Sequence, residues 1–495
     1  MLNLNLTSLK RILKTFQRFP KHLRQSTNLR MISDDNLKDL CSKFVSANYL
    51  NIAIDARKQR ENKIKQILEK RKIPETGLEN HEIEMLVNEL ASMDSNNFGS
   101  KYGVGEREGR IICDLVKKRN FNFGHGIGRS GDLAENQPKA TGSSIMNKLT
   151  NELLLDLVQM VGIRSAKKCL LFPMATGMTM MLSLLTFKSQ RPDANIVLWS
   201  RIDQKSCFKC ILTANLHPII IDSIKVGDEL QTNVKEFENQ INVLGPENIV
   251  CIISTTSCFA PRACDDVETL AKLSKTFNIP HIINNAYGLQ SFYLTHQIEQ
   301  CQKTGNVDLV IQSTDKNLLC PVGGCIVFGF NEKVINDVAK NYAGRASLSQ
   351  TLDVFMTLLH LGREGYTKLV KERKNLFEYL KEKFNDVAAK HNERILQSQK
   401  NPISLAMTLE SFDDSKLTMI GSMLFTRCVS GARVIAPNEK KTIDGYEFLN
   451  WGSHNSNNNI PYITAAASIG TTKSEIDGFI DKLDKVLLKI KNNES

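Results

Sequence analysis

From about Met146 onward, short apolar runs alternate with segments of helical spacing, and no other feature of the sequence limits the fold as much. The runs at 168–172, 195–199, 218–221, 249–253, 281–283 and 307–311 are mostly apolar at successive positions, so both faces of each strand need cover. Helical stretches such as 177–189 and 267–277 separate most of them. Strands of this kind linked by helices predict an α/β fold with a mainly parallel sheet covered on both sides.

The rest of the chain is organised around that unit, taken as a large domain over 146–341. Beyond Tyr342 the sequence is helix-rich, with strand candidates at 403–409 and 432–436. The closing helix places Ile476, Ile480, Leu483, Leu487 and Ile490 on one face behind a capping box at Thr472 and Glu475. Residues 342–495 therefore read as a smaller C-terminal domain. Upstream, 31–145 reads as a helical and Gly/Arg-rich segment, with helices expected at 45–71 and 81–93 and a weakly periodic loop over 103–144.

Charge is unevenly spread. Of the formal +11, residues 1–30 carry +7 with no acid, and 55–72 carry a further +5, so the remainder is close to neutral. A basic N-terminal region suits a polyanionic partner, with a solvated helix face as the plain alternative. Residues 1–30 also have the acid-free amphipathic pattern of a mitochondrial transit peptide, or of an extension upstream of a start at Met31. Twelve cysteines without regular spacing indicate a reducing compartment, and Cys207-x-x-Cys210 lacks the second pair a zinc site needs. No run reaches the length of a membrane-spanning helix.

Open α/β sheets bind ligands beyond the carboxyl ends of their strands. Three strand ends carry candidates. After Phe172 comes a small-residue turn, Ala175-Thr176-Gly177, whose backbone N–H groups can hold a phosphate at a helix N-terminus. After Ile283 comes Asn284, and after Ile311 comes Lys316, 32 residues beyond Asn284. Each alone has an ordinary explanation, a solvated lysine or a common turn. Their order resembles the aspartate-aminotransferase-like PLP fold, fold type I, in which the lysine binds the cofactor aldehyde and the strand-end residue addresses the pyridine nitrogen. Asn at 284 replaces the general Asp, giving a weaker electron sink suited to prompt loss of a good leaving group. Gly126-x-Gly128-x-x-Gly131 matches a dinucleotide motif but lacks the flanking strand and helix; with Arg129, Ser130 and Gln137 it reads better as an anion nest.

The strings at 103–110, 125–132, 137–140, 201–209 and 254–262 closely resemble the O-phosphoseryl-tRNA(Sec) selenium transferase family. The resemblance runs from about residue 45 to 491. It implies a cytoplasmic PLP enzyme, a homotetramer with active sites at subunit interfaces, that turns phosphoseryl-tRNA(Sec) into selenocysteinyl-tRNA(Sec) using selenophosphate. Carried over by position, Lys316 is similar to the Schiff-base lysine and Asn284 to the residue at the pyridine nitrogen. Ala175 and Thr176 resemble the cofactor-phosphate turn, Gln204 and Ala286 the residues flanking the ring, and Arg107 an arginine given by a neighbouring subunit. Arg129, Ser130, Gln137 and Arg345 resemble the group holding the substrate phosphate, with Lys205 a further active-site candidate. Lys70 and Arg427 resemble contacts to the tRNA. Two rivals stay open on the residues alone: a PLP enzyme acting on a free amino acid, and a tRNA-binding protein without catalysis.

Overall fold

A computed structural model describes residues 34 to 492. The segment that carries the transit-peptide reading lies outside the described residues. The chain opens with α1 (Asp34–Cys41), α2 (Ala47–Lys70) and α3 (Asn80–Ser92). Glu79 and Glu82 cap α3 reciprocally, each side chain accepting from the other's end of the first turn. The Gly- and Arg-rich stretch holds only the short α4 (Asp114–Arg119) before α5 (Thr141–Met160).

The alternation then follows as β1 (Lys168–Phe172), α6 (Thr176–Gln190), β2 (Ile196–Ser200), α7 (Lys205–Thr213) and β3 (His217–Ile221). A hairpin, β4 (Ile224–Val226) and β5 (Glu229–Gln231), precedes α8 (Val234–Leu244), β6 (Ile249–Thr255) and α9 (Val267–Phe277). Next come β7 (His281–Asn284), α10 (Phe292–Thr304), β8 (Leu309–Ser313), α11 (Thr314–Leu318), β9 (Cys325–Gly329) and α12 (Glu332–Lys340). Seven strands form one sheet in the order β1-β9-β8-β7-β6-β2-β3. β3, β2, β6, β7 and β8 pair in parallel, and β9 runs antiparallel to β8 and β1. This is the expected α/β class. The sequence reading had no strand at Cys325–Gly329. No helix separates β9 from the turn after α11, so it breaks the alternation and enters the sheet the other way round.

The chain continues with α13 (Ser349–Lys390), β10 (Ser404–Thr408), α14 (Leu417–Phe425), β11 (Arg433–Ile435), the hairpin β12 (Lys441–Ile443) and β13 (Tyr446–Phe448), β14 (Tyr462–Ala466) and α15 (Lys473–Asn492). β10, β14 and β11 make a small antiparallel sheet. It packs with α14, α15 and the outer half of α13 around a second core that includes Phe384, Met407, Leu417 and Leu487. The inner half of α13, through Phe355 and Leu359, belongs instead to the main core, as do Leu86 and Val87 of α3. Thr472 and Glu475 cap α15 reciprocally: the Thr472 N–H donates to Glu475 Oε2 at 2.7 Å and the Glu475 N–H to Thr472 Oγ1 at 3.3 Å. Among the described residues no helix is long and apolar enough to cross a membrane.

Candidate active site

Strand register sets the geometry. Thr255 of β6 pairs with Asn284, and Asn284 with Ile311 of β8, so the carboxyl ends of three neighbouring strands stand level. β1 lies two strands beyond β8, and the turn after it opens α6 with Ala175 at the N-cap and Thr176 as first residue. Thr176 Oγ1 and Ser313 Oγ share a hydrogen bond of 2.6 Å, which joins that turn to the end of β8. Three residues on, Lys316 sits in α11 with its side chain exposed. Asn317 fixes this short helix, since its Nδ2 donates to Ala286 O at 2.9 Å and to Ser313 O at 2.8 Å. Gln290 adds a further restraint, its Nε2 donating to Lys316 O at 3.2 Å.

Several buried polar atoms around this cradle have no partner, those of Asn284 and Gln204 among them. Asn284 is 2% exposed. Its Nδ2 donates to Cys207 Sγ at 3.4 Å, while Oδ1 is buried without a partner. Gln204, the N-cap of α7, likewise has a buried, unpartnered Nε2. Buried amides are normally hydrogen-bonded, so such atoms mark a place where a polar ligand would supply the missing bonds. Burial pushes the Cys207 thiol up, and the neighbouring Lys316 charge opposes the shift. Lys316, Asn284, Cys207 and the α7 N-terminus are thus near neighbours. Helix N-terminus, paired hydroxyls, lysine and orphaned amides fit the phosphate, aldehyde and ring nitrogen of a pyridoxal phosphate. Lys205 is the exposed first residue of α7.

A second cluster forms in the Gly/Arg-rich loops. Arg107, Arg129, Ser130, Gln137 and Arg345 line one cavity of about 500 Å³. Ile127 pairs with Ala346, the neighbour of Arg345, and Gly126, Gly128, Ser130 and Gly131 all take positive φ, which turns the 126–131 loop tightly on itself. That loop has no strand before it and no helix directly after it, so the dinucleotide reading has no support here. Arg345 Nη1 donates to His125 O at 3.2 Å. Among the described residues neither Arg107 nor Arg345 has a carboxylate partner, and Arg129 reaches Glu135 only at 4.0 Å. The cavity is therefore electropositive with donors free for an oxyanion. Burial holds His125 below its ordinary range, opposed by Asp94 and reinforced by the Arg345 charge.

No residue lining the arginine cavity comes from the lysine cradle. Arg107, expected at the cofactor phosphate of a neighbouring subunit, lies in its own chain beside Arg129 and Arg345. Lys70 is the exposed last residue of α2, in a cleft of about 520 Å³ shared with Lys63, Lys72 and Arg363. Arg427 follows α14 and donates from Nη1 to Met423 O at 2.9 Å. Sequence reading missed Ser313, Cys207, Gln290 and Asn317. Ser313 and Asn317 flank Lys316 closely enough to have been found, whereas Cys207 and Gln290 are brought in from other strands.

A family model described as O-phosphoseryl-tRNA(Sec) selenium transferase, SepSecS, matches residues 93–488. A Dictyostelium discoideum protein named O-phosphoseryl-tRNA(Sec) selenium transferase is 46% identical over 477 residues, covering 92% of this chain and 100% of its own. A Methanocaldococcus jannaschii protein of the same name is 33% identical over 86% of this chain and 94% of its own. The crystal structure of an archaeal O-phosphoseryl-tRNA(Sec) selenium transferase superposes with a TM-score of 0.83 at 29% identity, covering 89% of this chain and 98% of that one. A Burkholderia pseudomallei sphingosine-1-phosphate lyase, at 12% identity and a TM-score of 0.54 over 90% of this chain and 91% of its own, shares the fold alone.

Proposed function

The chain belongs to the O-phosphoseryl-tRNA(Sec) selenium transferase family, and on that premise we propose that the lysine cradle holds pyridoxal phosphate while the arginine cavity takes the substrate's phosphate. This is a PLP-dependent transferase that converts O-phosphoseryl-tRNA(Sec) to selenocysteinyl-tRNA(Sec) in selenocysteine biosynthesis, with selenophosphate as the donor. One observation carries the site reading: Thr176, Ser313, Asn284 and Lys316 converge at the carboxyl edge of one sheet, and Asn284 Oδ1 is buried there without a partner.

Pyridoxal phosphate, when bound, supplies an electron sink for the bond changes at the substrate's Cα. The chain's own residues do the rest. The N-terminus of α6, with the Thr176 and Ser313 hydroxyls, presents donors to the cofactor phosphate. Asn284 addresses the pyridine nitrogen with a neutral amide, so no full negative charge holds a proton there. Lys316 Nζ takes the Cα proton of the phosphoseryl group as general base. Arg129 and Arg345 meet the charge on the departing phosphate through paired N–H donors, assisted by Ser130 and Gln137. The donor's selenium then bonds to Cβ in the phosphate's place as the proton held by Lys316 returns to Cα, and water cleaves the Se–P bond, releasing phosphate and leaving the selenol.

Because cradle and cavity share no lining residue in one chain, we infer that two subunits complete each site, as in a homotetramer. Lys70 and Arg427 are the proposed tRNA contacts, and the basic cleft around Lys70 supports the first. Gln204 and Ala286 are assigned to the flanks of the ring, and Lys205 to substrate binding in the same site. We assign it to the cytoplasm, in keeping with the reducing environment its cysteines suggest, with a mitochondrial location as the alternative if residues 1–30 act as a transit peptide. Turnover of phosphoseryl-tRNA(Sec) with selenophosphate, set beside free phosphoserine, tests the substrate. The expected result is product from the tRNA-linked serine only; equal turnover of free phosphoserine would instead make this an enzyme of free amino acids.

A further inference from the structure

We propose that a cleft remote from the arginine cavity is a second ligand site, built for an amphipathic anion: a carboxylate or phosphate headgroup on an apolar body. The cleft lies between the start of α10, the outer part of α13 and the 395–405 segment that leads into β10, and encloses about 660 Å³. That is the size of pocket in which small ligands are held, and its make-up is the usual one, apolar walls with a few convergent polar groups. Val370, Phe377, Leu396 and Leu405 form the walls, and Phe292 and Tyr293 expose their rings at the mouth.

The headgroup position is set by Arg373. Its side chain lines the cleft and is only 5% exposed. Nη1 donates to Pro402 O at 2.8 Å, but Nε is buried without a partner. Among the described residues no carboxylate pairs with this guanidinium. Burying a cation without a counter-charge is costly, and proteins seldom leave one so. The other buried arginines among the described residues show the contrast: Arg201 pairs with Asp203 at 2.9 Å and Arg262 with Asp265 at 3.0 Å. Ser398 Oγ, also on the cleft wall, is a second buried atom without a partner. Lys371, Lys374 and Lys381, which pair with no carboxylate among the described residues, also line the cleft and are exposed, and Glu378 is the sole acid in the lining. An anion thus gains charge-assisted bonds inside and favourable charge at the entrance, while the apolar walls favour a hydrocarbon or aromatic body.

The site is distinct from the arginine cavity and shares only Gln290 with the surroundings of the cradle. Gln290 lines the cleft, donates to Lys316 O and accepts from the Ile469 N–H at 2.9 Å. Calorimetric titration of the cofactor-loaded full chain with octanoate and octyl phosphate tests the proposal, with octanol and inorganic phosphate as controls. The expected result is saturable binding of at least one amphipathic anion at one site per chain, with octanol and inorganic phosphate each at least about tenfold weaker. Arg373→Met is expected to weaken that binding at least about tenfold. If that variant does not fold, the double rim variant Lys371→Glu, Lys374→Glu decides, with a several-fold weakening expected. Absence of binding by both anions, equal binding of octanol, equal binding of inorganic phosphate, or unchanged affinity in the folded variants overturns the proposal.

Discussion

His281, at the start of β7, and His454, in the loop before β14, are buried and held neutral. His281 Nε2 shares a 2.7 Å hydrogen bond with Ser254 Oγ, and His454 Nδ1 accepts from the Asp203 N–H at 2.8 Å. Burial pulls His281 down to about 4 and His454 to about 3, from an ordinary 6.5. The folded protein therefore binds these protons less readily than the unfolded chain. Their contribution is complete above pH 6.5 and is lost as pH falls from 6.5 towards 4. By pH 4.5 each histidine should have removed roughly 2–3 kcal/mol of stability. Urea denaturation at pH 7 and pH 4.5 should show this loss, and a folded His281→Asn variant should lose less; equal sensitivity in both proteins would contradict the assignment. At this scale the sequence was legible where chemistry follows a strand directly. Lys316 and Asn284 stand at strand ends and could be placed by order alone. Cys207 and Gln290 could not, because their neighbours are reached through crossovers that only the folded sheet brings together.

Helix α13 shows what an element must give up to join two cores. It kinks at Gly362, where φ is 61° and ψ −177°, a region essentially reserved for glycine. The kink receives the 74–78 turn: the Arg363 N–H donates to Pro74 O at 2.9 Å, Glu364 N–H to Glu75 O at 3.1 Å and Leu78 N–H to Leu359 O at 2.8 Å. A Cβ at Gly362 would stand 2.5 Å from Gly77 N. Gly362→Ala should therefore destabilise the protein by at least about 2 kcal/mol and loosen the N-terminal helices, read as a lower urea midpoint. An unchanged midpoint would show that the turn does not depend on the kink. Elements with a single strong period were legible, α2 and α9 among them. β9 was not, because its apolar run follows a turn with no helix between, and the β12–β13 hairpin was not, because its three-residue strands are too short to show a period.

For the whole molecule, the division of the site matters most. One chain carries a lysine cradle and an arginine cavity with no lining residue in common, and in the proposed reading two subunits complete each site. Mixing Lys316→Ala with Arg129→Ala chains, each inactive by itself, should restore a fraction of wild-type turnover through hybrid sites. Activity that never exceeds the two variants measured separately would place each site within one chain. The α/β class was legible from the alternation, and the tight 126–131 turn from its glycines, but the way loops 103–144 meet α13 was not, because it depends on contacts between segments distant in sequence. The central claim is that Lys316 carries the cofactor. Borohydride reduction of the loaded enzyme followed by peptide mass mapping should find the pyridoxyl mass on the peptide containing Lys316; the same mass on another lysine, with Lys316 unmodified, would contradict it.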